Sequence, residues 1–582
     1  MKILLTAINA KYIHSNLAVY SLQAYAQRYA KGDAPEIQIK EYTINQPFDE
    51  ILMDLYGEQP DVICFSCYLW NITYVEMLLE ELPKVLPGTR LWLGGPEVSY
   101  NAVEILGKYP MVEGVMCGEG EETFLELTEY FSGQEKCLEA IRGIAFRLLS
   151  GSVKVNERRE VLDLSAVPFV YEDLEDFQNR IIYYESSRGC PFSCSYCLSS
   201  IDKRLRFRDI ELVKRELQFF IDHEVPQVKF VDRTFNCRHD HAMAVWNYIA
   251  EHDRGKTNFH FEIAADLLNE EEIRLIKGMR PGLIQLEIGV QSTNERTIRE
   301  IRRSMKKARV REVVAQIREG RNVHQHLDLI AGLPYEDYAG FAASFNEVYS
   351  MRPEQLQLGF LKVLKGSLMQ EKTGEYELFY QDRPPYEVLS TRWLSYGEII
   401  RLKKVEEMVE VYYNSAQFTN TMRELEKEFA SPFELYEALG RYYEENGLFC
   451  VSHSRIARYE ILYRFICGQS VKDPEEYRGW LTLDLYLRDN VRNRPEFLGE
   501  NRVEKEEAAE FYKMEAREHF YLRDYERYDS RQMRKVTHLE NFRGKLLLFD
   551  YRHRNPLTSD AAVWDVTGWR EEKGRTEIHE FL

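Results

Sequence analysis

Short apolar runs alternate with amphipathic helical segments twice along this chain, and an alternation of that kind builds a parallel sheet covered by helices. In the first series, strand-like runs at 2–7, 62–66, 90–93 and 112–116 are separated by helical patterns at 17–29, 74–86 and 121–131. Doubly wound sheets bind ligands in the loops that leave the carboxyl ends of their strands. Three such loops stand out: Cys64 to Cys67, which contains Ser66; Gly94, Gly95, Pro96 and Glu97; and Gly118, Glu119, Gly120 and Glu121. Their glycines let backbone approach a ligand closely.

Residues 151–180 are polar and charged and include Pro168, so they read as a linker between two cores. The second series then begins, with strand-like runs at 182–185, 227–231, 259–263, 283–288, 326–330 and 356–361. Asp209 is placed to cap a helix whose apolar face is Ile210, Val213, Leu217, Phe220 and Ile221. Six β/α units predict an open or partial barrel. Beyond Gly366 the pattern becomes helical and acidic, as at 396–413 and 419–429, with few strand signals before about Gly544. Its many tyrosines are expected to be core rather than a base-stacking surface.

The chain has 582 residues, so several cores are required, and its 44% hydrophobic content is too high for disorder. With 95 acidic against 76 basic residues the net charge is -19, which repels phosphate backbones and makes nucleic acid an unlikely partner. Ten cysteines in this length argue for thiols in a reducing cytosol rather than disulfides. Neither a signal-peptide core nor an apolar stretch of roughly 20 residues is present, so the expectation is a cytoplasmic protein with no membrane partner.

The strongest local signal is the run RGCPFSCSYCL at 188–198, a C-x3-C-x2-C loop formed by Cys190, Cys194 and Cys197 just after a strand. Three thiolates on one loop can hold three irons of a cubane cluster and leave the fourth open. A structural zinc site would need a fourth ligand, and the nearest candidates, His223 and Cys237, lie a helix and a strand away.

This loop, with Tyr196 before its last cysteine, resembles that of the radical S-adenosylmethionine superfamily. The resemblance implies a [4Fe-4S] cluster whose open iron chelates S-adenosyl-L-methionine. One electron then cleaves the sulfonium to methionine and a 5′-deoxyadenosyl radical, which abstracts hydrogen from an unactivated position. Further motifs follow in order. The run VKFVDRTFN at 228–236 is similar to the second-strand motif that meets the methionine amino group, although Asp232 stands where GGE is usual, with Thr234 beside it. LEIGVQS at 286–292 resembles the E-x-G-x-Q-S segment of the Elp3/MiaB-like branch, which implies Glu287 and Gln291 near the cofactor. DLIAGLP at 328–334 matches that branch's D-x-I-x-G-L-P. Asp232 and Glu287 also have a purely structural reading as buried carboxylates.

The glycine-rich loops ahead of this core resemble those of cobalamin-binding domains in cobalamin-dependent radical enzymes. That resemblance implies a corrin against Ser66, Gly94, Gly95, Pro96, Glu97, Gly118 and Glu119. The D-x-H-x-x-G motif that puts a histidine on cobalt is absent, and His14 reads as a loop residue, so a lower protein imidazole is not expected. Cys64, Cys67 and Cys117 raise a second cluster as a rival, but no cysteine follows the first strand, and buried packing is the simpler reading.

Arg206 and Arg208 lie just beyond the cysteines, where they could meet a cofactor carboxylate or phosphate. Arg299, Arg302, Arg303, Lys306, Lys307, Arg309 and Arg311 are expected on one solvated helix. The architecture expected is α/β: a flavodoxin-like doubly wound domain over 1–150 that binds cobalamin, a linker over 151–180, a partial (β/α)6 TIM-like barrel over 181–366 and a mostly helical domain over 367–582. The activity implied is methylation of an unactivated carbon of a small-molecule substrate, with electrons from a flavodoxin- or ferredoxin-type donor. A radical rearrangement or oxidation, a noncatalytic corrinoid carrier and an RNA-associated module are the alternatives.

Overall fold

A computed structural model describes the chain except residues 32–34, 135, 202, 470–472, 492, 501–502, 573–578 and 581–582. The chain forms two compact units, one of residues 1–338 and 360–396, the other of 339–359 and 397–582.

The first unit begins with a seven-stranded sheet. Its strands are β1 Lys2–Asn9, β2 Glu36–Thr43, β3 Val62–Ser66, β4 Arg90–Gly94, β5 Val112–Met116, β6 Ile144–Arg147 and β7 Val153–Val155, in the order β2-β1-β3-β4-β5-β6-β7. β1 to β5 are parallel, and β6 and β7 extend them antiparallel. The first five strands have the flavodoxin order, which reverses direction between β1 and β3. Apolar residues on consecutive positions serve both faces, as expected for a parallel sheet covered twice. Ile63, Phe65, Leu91 and Leu93 pack with Leu78 and Leu82 on one side, and Val62, Cys64 and Trp92 pack with Phe124 and Leu127 on the other. β2 carries no strand signal above because it is a half-exposed edge whose only apolar residues are Ile37, Ile39 and Tyr42.

A partial barrel of β/α units follows in the same unit. β8 Ile182–Tyr184 precedes a two-stranded antiparallel ribbon of β9 Ser187–Arg188 and β10 Arg206–Phe207. β11 Gln227–Phe230, β12 Asn258–Ile263, β13 Ile284–Gln291 and β14 His324–Ala331 then pair in parallel, in the order β14-β13-β12-β11-β8. β15 Gln355–Phe360 is the sixth predicted strand, and its residues to Gly359 are counted with the second unit. The expected cap is present: Asp209 accepts from the amides of Glu211 and Leu212 at the start of Ile210–Asp222.

One expected helix is not continuous. The basic run from Arg299 to Arg311 is divided between Glu295–Glu300 and Lys307–Glu319. Between them Arg302 takes a φ of 54° and the Lys306 amide donates to Asp266, which turns the chain back.

The second unit is mostly helical, with Thr419–Leu425, Pro432–Glu445, Arg455–Gly468, Pro474–Arg488 and Lys505–Glu518 among its helices. Tyr412, Tyr436, Tyr443, Tyr459 and Tyr486 are buried, so these rings are core. Thr537–Phe542, Lys545–Arg554, Ala561–Asp565 and His579–Glu580 add an antiparallel sheet. Among the described residues no helix is long and apolar enough to cross a membrane.

Candidate functional site

The cysteine loop hangs from the β9–β10 ribbon at the carboxyl end of β8. Gly189 makes its entry possible: φ is +97°, and a Cβ there would lie 2.7 Å from the Arg204 carbonyl oxygen. Cys190 and Cys194 are buried and Cys197 is half-buried. The Ser200 hydroxyl donates to the carbonyls of Cys194 and Cys197 at 2.9 and 2.6 Å. Ser195 pins the loop to two distant segments, donating to the Ile301 carbonyl and accepting from the Met369 amide, both at 2.9 Å. Among the described residues, no group of three His, Cys, Asp or Glu side chains is gathered around a single metal ion. A zinc site would need that, whereas thiols that each take a different iron of a cubane do not converge on one point. Three thiols carried on one short loop fit a cubane that offers each a different iron.

The ends of the barrel strands surround this loop. Thr234 lies with its hydroxyl 3.8 Å from the Cys190 sulfur. Asp232 is fully buried and accepts from the Ser186 amide and from the hydroxyls of Ser186 and Ser187, at 2.9, 2.6 and 2.6 Å. Burial pushes its carboxyl up to about 7 despite those bonds. It braces the ribbon against β11. Glu287 lies 3.1 Å from Lys229 Nζ and 3.0 Å from His260 Nε2, the latter out of line for a hydrogen bond. Burial opposes its ionisation, but His260, Lys229 and His326 outweigh it and hold the carboxyl down at about 2. Gln291 ends β13 at φ +71°, and its Oε1 is buried without a partner. A strained residue with an unsatisfied acceptor at a strand end marks a place for a ligand.

Arg303 belongs here too, although its sequence neighbours suggested a solvated helix. Its Nη1 is 3.8 Å from the Cys194 sulfur and 3.4 Å from the Tyr196 hydroxyl, and its Nη2 donates to the Gly289 carbonyl. Its Nε is buried and unpartnered. Burial raises the Cys194 thiol, and the Arg303 charge works against that rise. The barrel strands carry further polar residues, of which only Asp328 lay in an expected motif. His260, Glu262, His326 and Asp328 alternate with buried apolar neighbours on β12 and β14, and burial pushes Glu262 up to about 7. A period of two in NFHFEI and HQHLDLIA was the available signal.

A loop of the first sheet also meets the ribbon that carries the cysteines. Ser66 accepts from the Asn16 amide nitrogen at 3.2 Å. Gly94 ends β4, and Pro96 opens the short helix Pro96–Ser99. Gly95 has φ +109°, but a Cβ there would lie 2.5 Å from the Cys67 carbonyl oxygen, so its bareness serves packing between two loops. At Gly118, φ +87°, nothing lies within 4 Å of a Cβ position, which leaves backbone open to a flat ligand. Two carboxylates in these loops are committed to the chain. Glu97 accepts from Tyr386 at 2.5 Å and pairs with Lys365 at 2.6 Å. Glu119 pairs with Arg206 and accepts from the Leu162 amide. His14 Nδ1 is 2.6 Å from the Tyr183 hydroxyl, consistent with a loop histidine. Burial pushes the thiols of Cys64, Cys67 and Cys117 up to about 12, 12 and 11. Arg208 is also committed, to Glu216 and to the carbonyls of Leu164 and Val167.

Comparison with known proteins matches these regions to families. Residues 3–128 match the B12 binding domain, 184–348 the Radical SAM superfamily, and 374–559 a family described as a protein of unknown function, DUF4080. The chain is 23% identical over 353 residues to the cobalamin-dependent radical SAM methyltransferase TokK of Streptomyces tokunonensis, covering 56% of this chain and 51% of that one. It is 25% identical over 303 residues to 2-(S-pantetheinyl)-carbapenam-3-carboxylate methyltransferase of Streptantibioticus cattleyicolor, covering 48% of this chain and 44% of that one. The chain thus spans about half the length of these curated relatives. Among solved structures, the cobalamin-dependent S-adenosylmethionine radical enzyme OxsB with aqua-cobalamin bound shares the fold, with a TM-score of 0.57, 15% identity, and coverage of 83% of this chain and 79% of that one. A match to the B12 binding domain is thus followed along this chain by a match to the Radical SAM superfamily.

Proposed function

We propose that this chain is a cobalamin-dependent radical S-adenosylmethionine enzyme that methylates an unactivated carbon of a small molecule. The observation that carries the reading is the open-ended thiol set of Cys190, Cys194 and Cys197, held at a barrel strand end beside a B12-binding domain. When bound, the cluster would supply the electron that cleaves S-adenosylmethionine, and cobalamin the methyl group. The three cysteines would hold the cluster, and Tyr196 packs against them. Thr234 and Gln291 present polar atoms at the strand ends where S-adenosylmethionine would lie. Arg303 offers its guanidinium to a carboxylate next to Cys194. Asp232 and Glu287 act from behind, through the serines of the ribbon and through His260 and Lys229. Ser66, Gly94, Gly95, Pro96 and Gly118 would line the corrin with backbone and a small hydroxyl. Glu97 and Glu119 would hold their loops in place by their ion pairs. The corresponding domain limits are 1–150, 181–366 and 367–582, with 151–180 as connector, and the electron donor would be a separate flavodoxin or ferredoxin.

Anaerobic reconstitution with iron, sulfide, cobalamin and a chemical reductant tests the reading. Label from the methyl group of S-adenosylmethionine should reach product together with 5′-deoxyadenosine formation. Formation of 5′-deoxyadenosine without label in any product would favour rearrangement or oxidation. No cleavage at all, with cluster present, would leave a carrier.

A further inference from the structure

The two ribbon arginines form an unusual pair. Arg188 and Arg206 are directly opposite each other in the register of β9 and β10. Like charges facing each other across an antiparallel pair destabilise it unless acids intervene. The acids come from two sources. Glu185 binds Arg188 through both oxygens, at 2.9 and 2.7 Å. Other donors reach into the loop after β5: Arg188 Nη2 donates to Glu121 at 2.7 Å, Arg188 Nη1 is 3.7 Å from Glu119, and Arg206 Nη2 pairs with Glu119, while Arg206 Nε and Nη1 donate to the carbonyls of Arg204 and Leu162. Glu121 is 6% exposed in this pairing, so the bond is shielded from water. Residues 118–121 of the B12-binding region thus supply two of the acids that face the ribbon's arginines.

The position of the ribbon gives this contact its meaning. Arg188 stands two residues before Cys190, and β10 follows Cys197 closely, so the arginines flank the cluster loop on both sides. The acids flank Gly120 and follow Gly118, whose open backbone is the part of that loop free to meet a corrin. We propose that Arg188 and Arg206, with Glu119 and Glu121, are positioning residues that fix the separation between the cluster loop and the corrin-facing loop. The proposal rests on the reading above for what the two loops carry, but not for the contact itself. A chemistry that opens a carbon–hydrogen bond from one cofactor and delivers a methyl group from the other needs both held on one substrate carbon.

Two measurements test it. In unloaded protein, amide hydrogen exchange across 117–122 should rise about tenfold in R188Q and in E121Q, while peptides of β1 and β3 keep their protection. In loaded enzyme, the same variants should keep iron content yet make several-fold more 5′-deoxyadenosine per methylated product, and the magnetic coupling between cob(II)alamin and the reduced cluster should weaken. The charge swap E119R/R206E should restore protection that E119R alone loses. Unchanged exchange at 117–122 in R188Q and E121Q overturns the clamp. Raised exchange with unchanged coupling and product ratio overturns its role in positioning. If wild-type loaded enzyme forms no methylated product, the methyltransferase reading fails, and the exchange and coupling results still decide the clamp.

Discussion

The Arg303 guanidinium sits 3.8 Å from the Cys194 sulfur, and the Thr234 hydroxyl lies as far from the Cys190 sulfur of the same loop. A fixed positive charge there favours the thiolate that iron requires. Replacing it with methionine keeps the volume and removes the charge. R303M should reconstitute with weaker iron retention, by about tenfold or more against a chelator, as for other residues that support metal ligands. R303K should recover part of the loss. The measurement is iron and sulfide per chain as chelator is titrated at pH 7.

Asp232 gives stability an unusual pH dependence. Its folded carboxyl titrates near 7, well above the ordinary unfolded value of about 4. A raised acid contributes stability that is complete below the unfolded value and is lost as pH climbs through the folded one. Between about pH 4 and 7 this residue alone should therefore cost on the order of 4 kcal/mol. Denaturant unfolding of D232N should show a flatter decline of stability over that window than the parent chain. D232A should be destabilised by about 2–3 kcal/mol at pH 5, because three donors of Ser186 and Ser187 lose their acceptor.

Two glycines should respond oppositely to alanine. Gly95 sits at φ +109° with the Cys67 carbonyl oxygen 2.5 Å from any Cβ, so G95A should lose at least about 2 kcal/mol and shift the loops at the ends of β3 and β4. Gly57 lies exposed within the helix Phe48–Glu58, with nothing within 4 Å, and G57A should gain about 0.5–1 kcal/mol. Thermal unfolding of the pair separates the effects.

The buried Arg208–Glu216 pair should be strongly coupled. Glu216 also accepts from the Tyr184 hydroxyl at 2.6 Å, and Arg208 donates to two carbonyls of the preceding loop. Truncating either partner leaves an unmatched buried charge, at a cost of about 3–5 kcal/mol. R208M/E216L should cost far less than the sum of the single changes, which a double-mutant cycle in urea would measure.

Strand and helix order could be read from the chain because most strands of the first two sheets are parallel and buried, so they appear as unbroken apolar runs such as 62–66. The edge strand β2 escaped notice because half of it faces water, and a period of two in EIQIKEYT is easily mistaken for a polar loop. The cysteine loop could be read because its ligands are neighbours in sequence. Arg303 could not: a run of basic residues looks the same whether its helix continues or, as here, breaks at Arg302 and turns one guanidinium inward. Glu119 and Glu97 stood in glycine-rich loops, but their partners Arg206 and Lys365 are far away in sequence, and only folding brings them together.

Ser195 has a consequence for the order of events during synthesis. Its amide and carbonyl are held by Ile301 and by Met369, residues that leave the ribosome long after the cysteines. Until the chain has grown past both, the cysteine loop is held only by its ribbon and by Ser200, and closing such long spans is the slow part of folding. A truncation ending before residue 369 would leave the thiols in a loop in which Ser195 has lost one of its two distant anchors.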